Sequence, residues 1–154
     1  MNSRTETFHT SNEDETIALG QRIASTLPPQ AVIMLMGNLG AGKTTLAKGI
    51  ISGLGLSVEP SEVSSPTFTL IHEYGPNAAG ARAYHIDLYR LDKASELMTL
   101  GLDEIFNQKA LVLIEWGERF PQLMPVPRIE IQLNHDASDD SGEQRVITMR
   151  TVSE

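Results

Sequence analysis

The stretch AVIMLMGNLGAGKTT, residues 31–45, changes character part-way along. Its first six residues, Ala31–Met36, have no polar side, which predicts a strand buried on both faces as central parallel strands are. Gly37, Gly42, Lys43 and Thr44 then fit the pattern G-x-x-x-x-G-K-[ST], and a helix is predicted from about Lys43 to Leu54, stopped by Gly53 and Gly55. Chance alone produces such a four-position match about once in a few hundred chains of this size. The flanking strand and helix make it far more specific. Glycines allow backbone conformations that turn successive amides inward as a nest for phosphate oxygens, and the following helix adds the positive end of its dipole. Lys43 would bring a point charge to the β- and γ-phosphates, and the Thr44 hydroxyl is short enough to ligate Mg²⁺ against them.

Outward from this turn, strand-like and helix-like stretches alternate, as in a layered α/β domain. SNED, Ser11–Asp14, offers an N-cap hydroxyl with an acid three residues on, and Ile17, Ile23, Ala24 and Leu27 recur at helical spacing up to Pro28. Residues 1–10 read as a flexible start. TFTLIHEY and ARAYHIDLY face each other across GPNAAG as an antiparallel pair. KASELMTLGLDEIF, residues 93–106, reads as two short helices broken at Gly101, and ALVLIEW, residues 110–116, as another buried strand. RIEIQL and RVITM pair across the acidic loop NHDASDDSGEQ, which reads as solvated and inert. The fold class expected is therefore α/β, a P-loop NTPase-like three-layer sandwich with a mixed, largely parallel central sheet and antiparallel hairpins, in one domain spanning residues 1–154.

The chain has 154 residues, enough for one well-buried core. Twenty acidic against twelve basic residues give a charge of −8, which argues against a broad grip on nucleic acid or anionic lipid, so any contact with RNA is expected to be indirect. With no cysteine, disulfides, zinc–thiolate sites and thiol catalysis are excluded. The apolar runs are too short to cross a bilayer and the N-terminus is polar, so a cytoplasmic location and no membrane partner are expected.

A magnesium ion held on phosphates needs carboxylates nearby, and in such NTPases one sits at the end of a neighbouring buried strand. Glu115 ends five apolar residues at the edge where open α/β sheets bind ligands; the alternative is a strand-end glutamate, exposed or paired with an arginine. Asp87 also closes an apolar-rich strand and either organises the ion or the attacking water, or caps a turn. SSPTFT places Ser64, Ser65 or Thr67 near the γ-phosphate or serves as turn chemistry. Trp116 stacks on a base or fills core, while His85 reads as a packing or surface histidine, with no second ligand at metal spacing. Arg82, Arg90 and Arg119 are scattered, without the arginine-rich lid of a small-molecule kinase, the competing reading. D-x-x-G and N-K-x-D, the usual guanine signatures, are absent, so ATP is the expected nucleotide.

GNLGAGKTT, SSPTFTL, HIDLYRL, GLDEIF and LIEWGER together resemble, in order and spacing, the bacterial TsaE family, also called YjeE, over about residues 10–133. The resemblance implies a P-loop ATPase of tRNA threonylcarbamoyladenosine synthesis that binds TsaB and TsaD. TsaD transfers the threonylcarbamoyl group to adenosine 37, and ATP hydrolysis by the family member resets that assembly. It also implies that Asn38, Leu39, Gly40, Ala41, Gly42, Lys43, Thr44 and Thr45 hold the phosphates, with Mg²⁺ on Thr44 and Glu115. Asp87 takes a catalytic or metal-organising role, Trp116 and Glu118 lie beside the nucleotide, and the segment around Thr10 touches the base. Lys43, Asp87 and Glu115 are the expected catalytic set. No arginine finger or glutamine base is identifiable, so hydrolysis is expected to be slow alone and faster with the partners. The C-terminal hairpin is assigned structure only.

Overall fold

The computed structural model describes residues 5–38, 40–56, 71–98 and 100–153. Among these residues seven strands form one sheet in the order β1-β7-β6-β2-β5-β4-β3. They are β1 (Thr5–Thr10), β2 (Ala31–Met36), β3 (Ile71–Tyr74), β4 (Ala83–Asp87), β5 (Leu111–Glu115), β6 (Arg128–His135) and β7 (Arg145–Val152). The middle of the sheet, β6-β2-β5-β4, is parallel, and antiparallel pairs close both sides. Among the described residues four α-helices accompany it: α1 (Glu13–Ala24), α2 (Lys43–Gly53), α3 (Ala94–Met98) and α4 (Leu102–Phe106).

Side chains alternate across a strand, so an all-apolar strand feeds two cores at once. Ile33 and Leu35 of β2 join Leu111 and Leu113 of β5 against α1 and α2. Val32 and Met34 join Val112 and Ile114 on the opposite face, under Leu102 of α4 and Phe120 and Met124 beyond β5. Two apolar layers around one mixed sheet make the three-layer α/β arrangement expected from the sequence.

Helices α1 and α2 approach closely because glycines remove the side chains between them. A Cβ on Gly49 would lie 2.2 Å from the Ile17 carbonyl oxygen, and one on Gly20 would lie 2.6 Å from that of Leu46. This contact holds the helix that follows the glycine-rich turn against the helix that follows β1.

Two expectations at the N-terminus need correction. Thr5–Thr10 are not loose but form β1, paired with Arg145–Arg150 of β7. Its short, mostly polar sequence gives little apolar alternation of its own; the pairing supplies the order. The α1 cap is Asn12 rather than Ser11: the Asn12 side chain accepts from the Glu15 amide at 2.9 Å, while the Glu15 carboxylate accepts from the Ser11 amide at 2.8 Å. Gly101, in the left-handed region at φ 71°, separates α3 from α4 as expected. Ser64, Ser65 and Thr67 lie outside the described residues.

Candidate functional site

Strand periodicity assembles the site. In β5 the alternate series Leu111, Leu113, Glu115 faces α2, and in β4 the corresponding series is Ala83, His85, Asp87. Register sets Asp87 beside Glu115 and His85 beside Leu113. Both strands therefore end with a carboxylate at the start of α2, where the glycine-rich turn delivers Lys43 and Thr44. A cleft of about 640 Å³ opens there, within the range of small-molecule sites.

Glu115 is 3% exposed, and His85 is fully buried. Glu115 Oε2 lies 2.6 Å from His85 Nε2 and accepts from the Thr44 hydroxyl at 3.2 Å. The carboxylate at the end of an apolar strand is thus held by an imidazole as well as by the threonine of the glycine-rich turn. The reading of His85 as a packing or surface residue is corrected accordingly: it is in the interior, but hydrogen-bonded to Glu115. His85 Nδ1 has no hydrogen-bond partner among the described residues. The strand-end alternative for Glu115, exposed or paired with arginine, does not hold.

Lys43 is buried at 5% exposure, with Nζ donating to the Gly37 carbonyl at 2.7 Å and lying 3.4 Å from the centre of the Trp116 ring. Burial lowers the pKa of its ammonium group below the ordinary lysine range, opposed by the nearby charges of Glu115, Glu118 and Asp87. Trp116 takes the left-handed conformation at φ 68°, uncommon for a bulky residue, and packs against Tyr89 with ring centres 5.0 Å apart. It covers the lysine and lines the cleft rather than simply filling core. Glu118 Oε1 is buried without a hydrogen-bond partner among the described residues.

Asp87 lines the cleft and accepts from the Tyr89 amide at 2.9 Å, so it caps a turn as well as facing the site. Gly40, Gly42, Lys43, Thr44 and Thr45 line the cleft. Asn38 and Ala41 shape the turn through an Ala41 amide to Asn38 carbonyl bond of 3.0 Å, and Leu39 lies outside the described residues. Thr10 is buried behind the wall, 2.7 Å from the Thr16 hydroxyl; Asn12, Glu13 and Thr16 face the cleft there. Arg90 lines the cleft, whereas Arg82 is paired with Glu73 and Arg119 holds the Leu88 and Tyr89 carbonyls.

The far wall was missed. Gly142, Glu143 and Arg145 from the β6–β7 loop line the cleft, so the hairpin assigned structure only, and the loop read as inert, border the site. Arg145 contacts main-chain carbonyls, for which a sequence has no residue-type signal.

The model of the family described as threonylcarbamoyl adenosine biosynthesis protein TsaE matches residues 10–147. This chain belongs to the TsaE family. It is 40% identical to the tRNA threonylcarbamoyladenosine biosynthesis protein TsaE of Bacillus subtilis over 88% of this chain and 81% of that protein. With the protein of the same name from Haemophilus influenzae it shares 40% identity over 79% of this chain and 72% of the other. The crystal structure of Bacillus subtilis YdiB superposes with a TM-score of 0.77 at 33% identity, covering 99% of this chain and 89% of that one. The TsaE match runs past residue 133 and takes in Arg145, farther than the motifs alone reach.

Proposed function

We propose that this TsaE-family chain binds Mg·ATP in the cleft and hydrolyses it in the cytoplasm in the service of tRNA threonylcarbamoyladenosine synthesis. The convergence of Lys43 and Thr44 from the glycine-rich turn with Glu115 and Asp87 from two neighbouring strand ends supports this best. Thr44 and Glu115 offer hard oxygen donors 3.2 Å apart, a set that suits magnesium completed by phosphate oxygens and water. The bound ion would neutralise charge on the β- and γ-phosphate oxygens.

The chain's own residues do the rest. The first amides of α2 have no acceptor within the helix and bind phosphate, with Lys43 supplying the point charge. His85 keeps the Glu115 carboxylate pointed at Thr44. Asp87 orients the attacking water, and Trp116 and Glu118 flank the phosphates. The nucleotide is ATP, since the guanine signatures are absent. The partners are TsaB and TsaD, whose assembly is reset by each hydrolysis, and a chain of charge −8 suits a role in which they hold the tRNA.

Phosphate release from ATP, measured with the chain alone and with TsaB and TsaD added, tests the proposal. A slow rate that rises with the partners is expected, with free phosphate as the product and no phosphorylated metabolite. Equal turnover in both mixtures would contradict it.

A further inference from the structure

The β6–β7 loop is a built turn that ends at the glycine-rich loop. Asp139 accepts from the amides of Ser141 at 3.1 Å, Glu143 at 3.1 Å and Gln144 at 2.9 Å. The Asp136 amide donates to the Gln144 carbonyl at 3.0 Å, and the Asp136 carboxylate accepts from the Ser138 amide at 3.0 Å. These bonds fix the direction in which Arg145 leaves the loop. Its Nε donates to the Ala41 carbonyl at 2.9 Å and its Nη2 to the Gly40 carbonyl at 3.3 Å. Nη1 donates to the Gly142 carbonyl at 2.6 Å and the Gln144 carbonyl at 3.1 Å. A guanidinium has five N–H donors, and most of these are spent on the main chain, so Arg145 is not a cation held in reserve for a phosphoryl group.

Its leverage comes from peptide geometry. In a planar trans peptide the C=O and the next N–H point in opposite directions. Holding the Gly40 carbonyl directs the Ala41 amide to its bond with the Asn38 carbonyl, which closes the turn. Holding the Ala41 carbonyl directs the Gly42 amide away from Arg145. Gly42 is in the left-handed region at φ 104° and caps α2 without a side-chain hydrogen bond. The orientation of this peptide therefore depends on what grips its carbonyl from outside.

We infer that Arg145 is a positioning residue of the phosphate site: it locks two peptide planes of the glycine-rich loop so that the Gly42 amide and the start of α2 are set for polyphosphate before it arrives. The inference rests on the phosphate-binding reading given above. It differs from a direct contact between Arg145 and the adenosine of the nucleotide, and the two separate by ligand.

Calorimetric affinities of the full chain for inorganic tripolyphosphate and for Mg·ATP, compared with Arg145→Gln and Arg145→Lys, provide the test. Loss of the preset loop should weaken both ligands by the same factor, about tenfold in Arg145→Gln, with part of the loss recovered in Arg145→Lys. The thermal midpoint of the unliganded lysine variant should stay near that of the wild type, which separates positioning from general unfolding. Unchanged tripolyphosphate affinity in both folded variants, whether or not ATP affinity falls, would overturn the inference. A wild-type chain that takes up neither ligand would instead bring down the reading of the cleft on which it rests.

Discussion

The α1–α2 pair and the β6–β7 hairpin border the same cleft, and they are held by different means. The helices meet backbone to backbone at Gly20 and Gly49, where the space for a Cβ is already filled. The hairpin buries Ile131, Leu133 and Ile147 in the same core but adds charge and hydrogen bonds: Glu130 lies between Arg128 and Arg150, Asp139 organises the loop, and Arg145 reaches the glycine-rich turn. Contact without side chains tolerates no added atom. A polar anchor can be weakened by degrees, and it responds to pH.

Gly49→Ala gives the largest expected effect. A methyl group 2.2 Å from the Ile17 oxygen must push the helices apart, at a cost of about 3 kcal/mol. Thermal unfolding should show a midpoint lower by about 6–12 °C in a chain of this size; a change under about 2 °C would mean that the helix pair has slack.

Glu130→Gln should cost less and carry a pH signature. Burial pushes the Glu130 carboxyl upward, but hydrogen bonds from Arg150 and Arg128 more than offset this and hold it below the usual glutamate range. A folded-state value below the unfolded one contributes stability that is complete above the unfolded value and fades as pH falls through the folded one. With Arg150 half exposed, the contribution at neutral pH is about 1 kcal/mol, or about 2–4 °C in the midpoint. The gap between wild type and variant should therefore be widest near pH 7 and narrow once pH falls below the ordinary glutamate range, about 4.3. A gap independent of pH would mean the arginines do not hold the carboxylate.

Asp139→Ala sharpens the contrast at its weak end. The side chain is only partly exposed but lies on a surface loop outside both cores, so the thermal midpoint should shift by no more than about 2 °C. Slackening the turn that aims Arg145 should still lower Mg·ATP affinity, by about two- to threefold on the scale of one weakened hydrogen bond. An unchanged affinity would separate the loop from the phosphate site.

The same contrast explains what the sequence disclosed. Strands β2 and β5 were legible because both faces are apolar, and Glu115 stood out because a charge at the end of such a strand must be compensated. The glycine-rich turn carries its function in residue types that sterics demand. His85 was misread because its partner comes from the β4–β5 register, a pairing between distant segments that local pattern does not encode. Trp116 over Lys43 is a contact of the same long-range kind. The strand Thr5–Thr10 owes its form to β7 rather than to its own alternation. Arg145 acts on carbonyl groups that every residue possesses, so the wall it builds had no signature to find.

Titration calorimetry of Mg·ATP into the folded chain, alongside Lys43→Ala, tests the central claim most directly. The account predicts saturable uptake at one site per chain, weakened about 100-fold by the substitution, or about 2.7 kcal/mol. No uptake by the wild-type chain, or equal uptake by the variant, would contradict it.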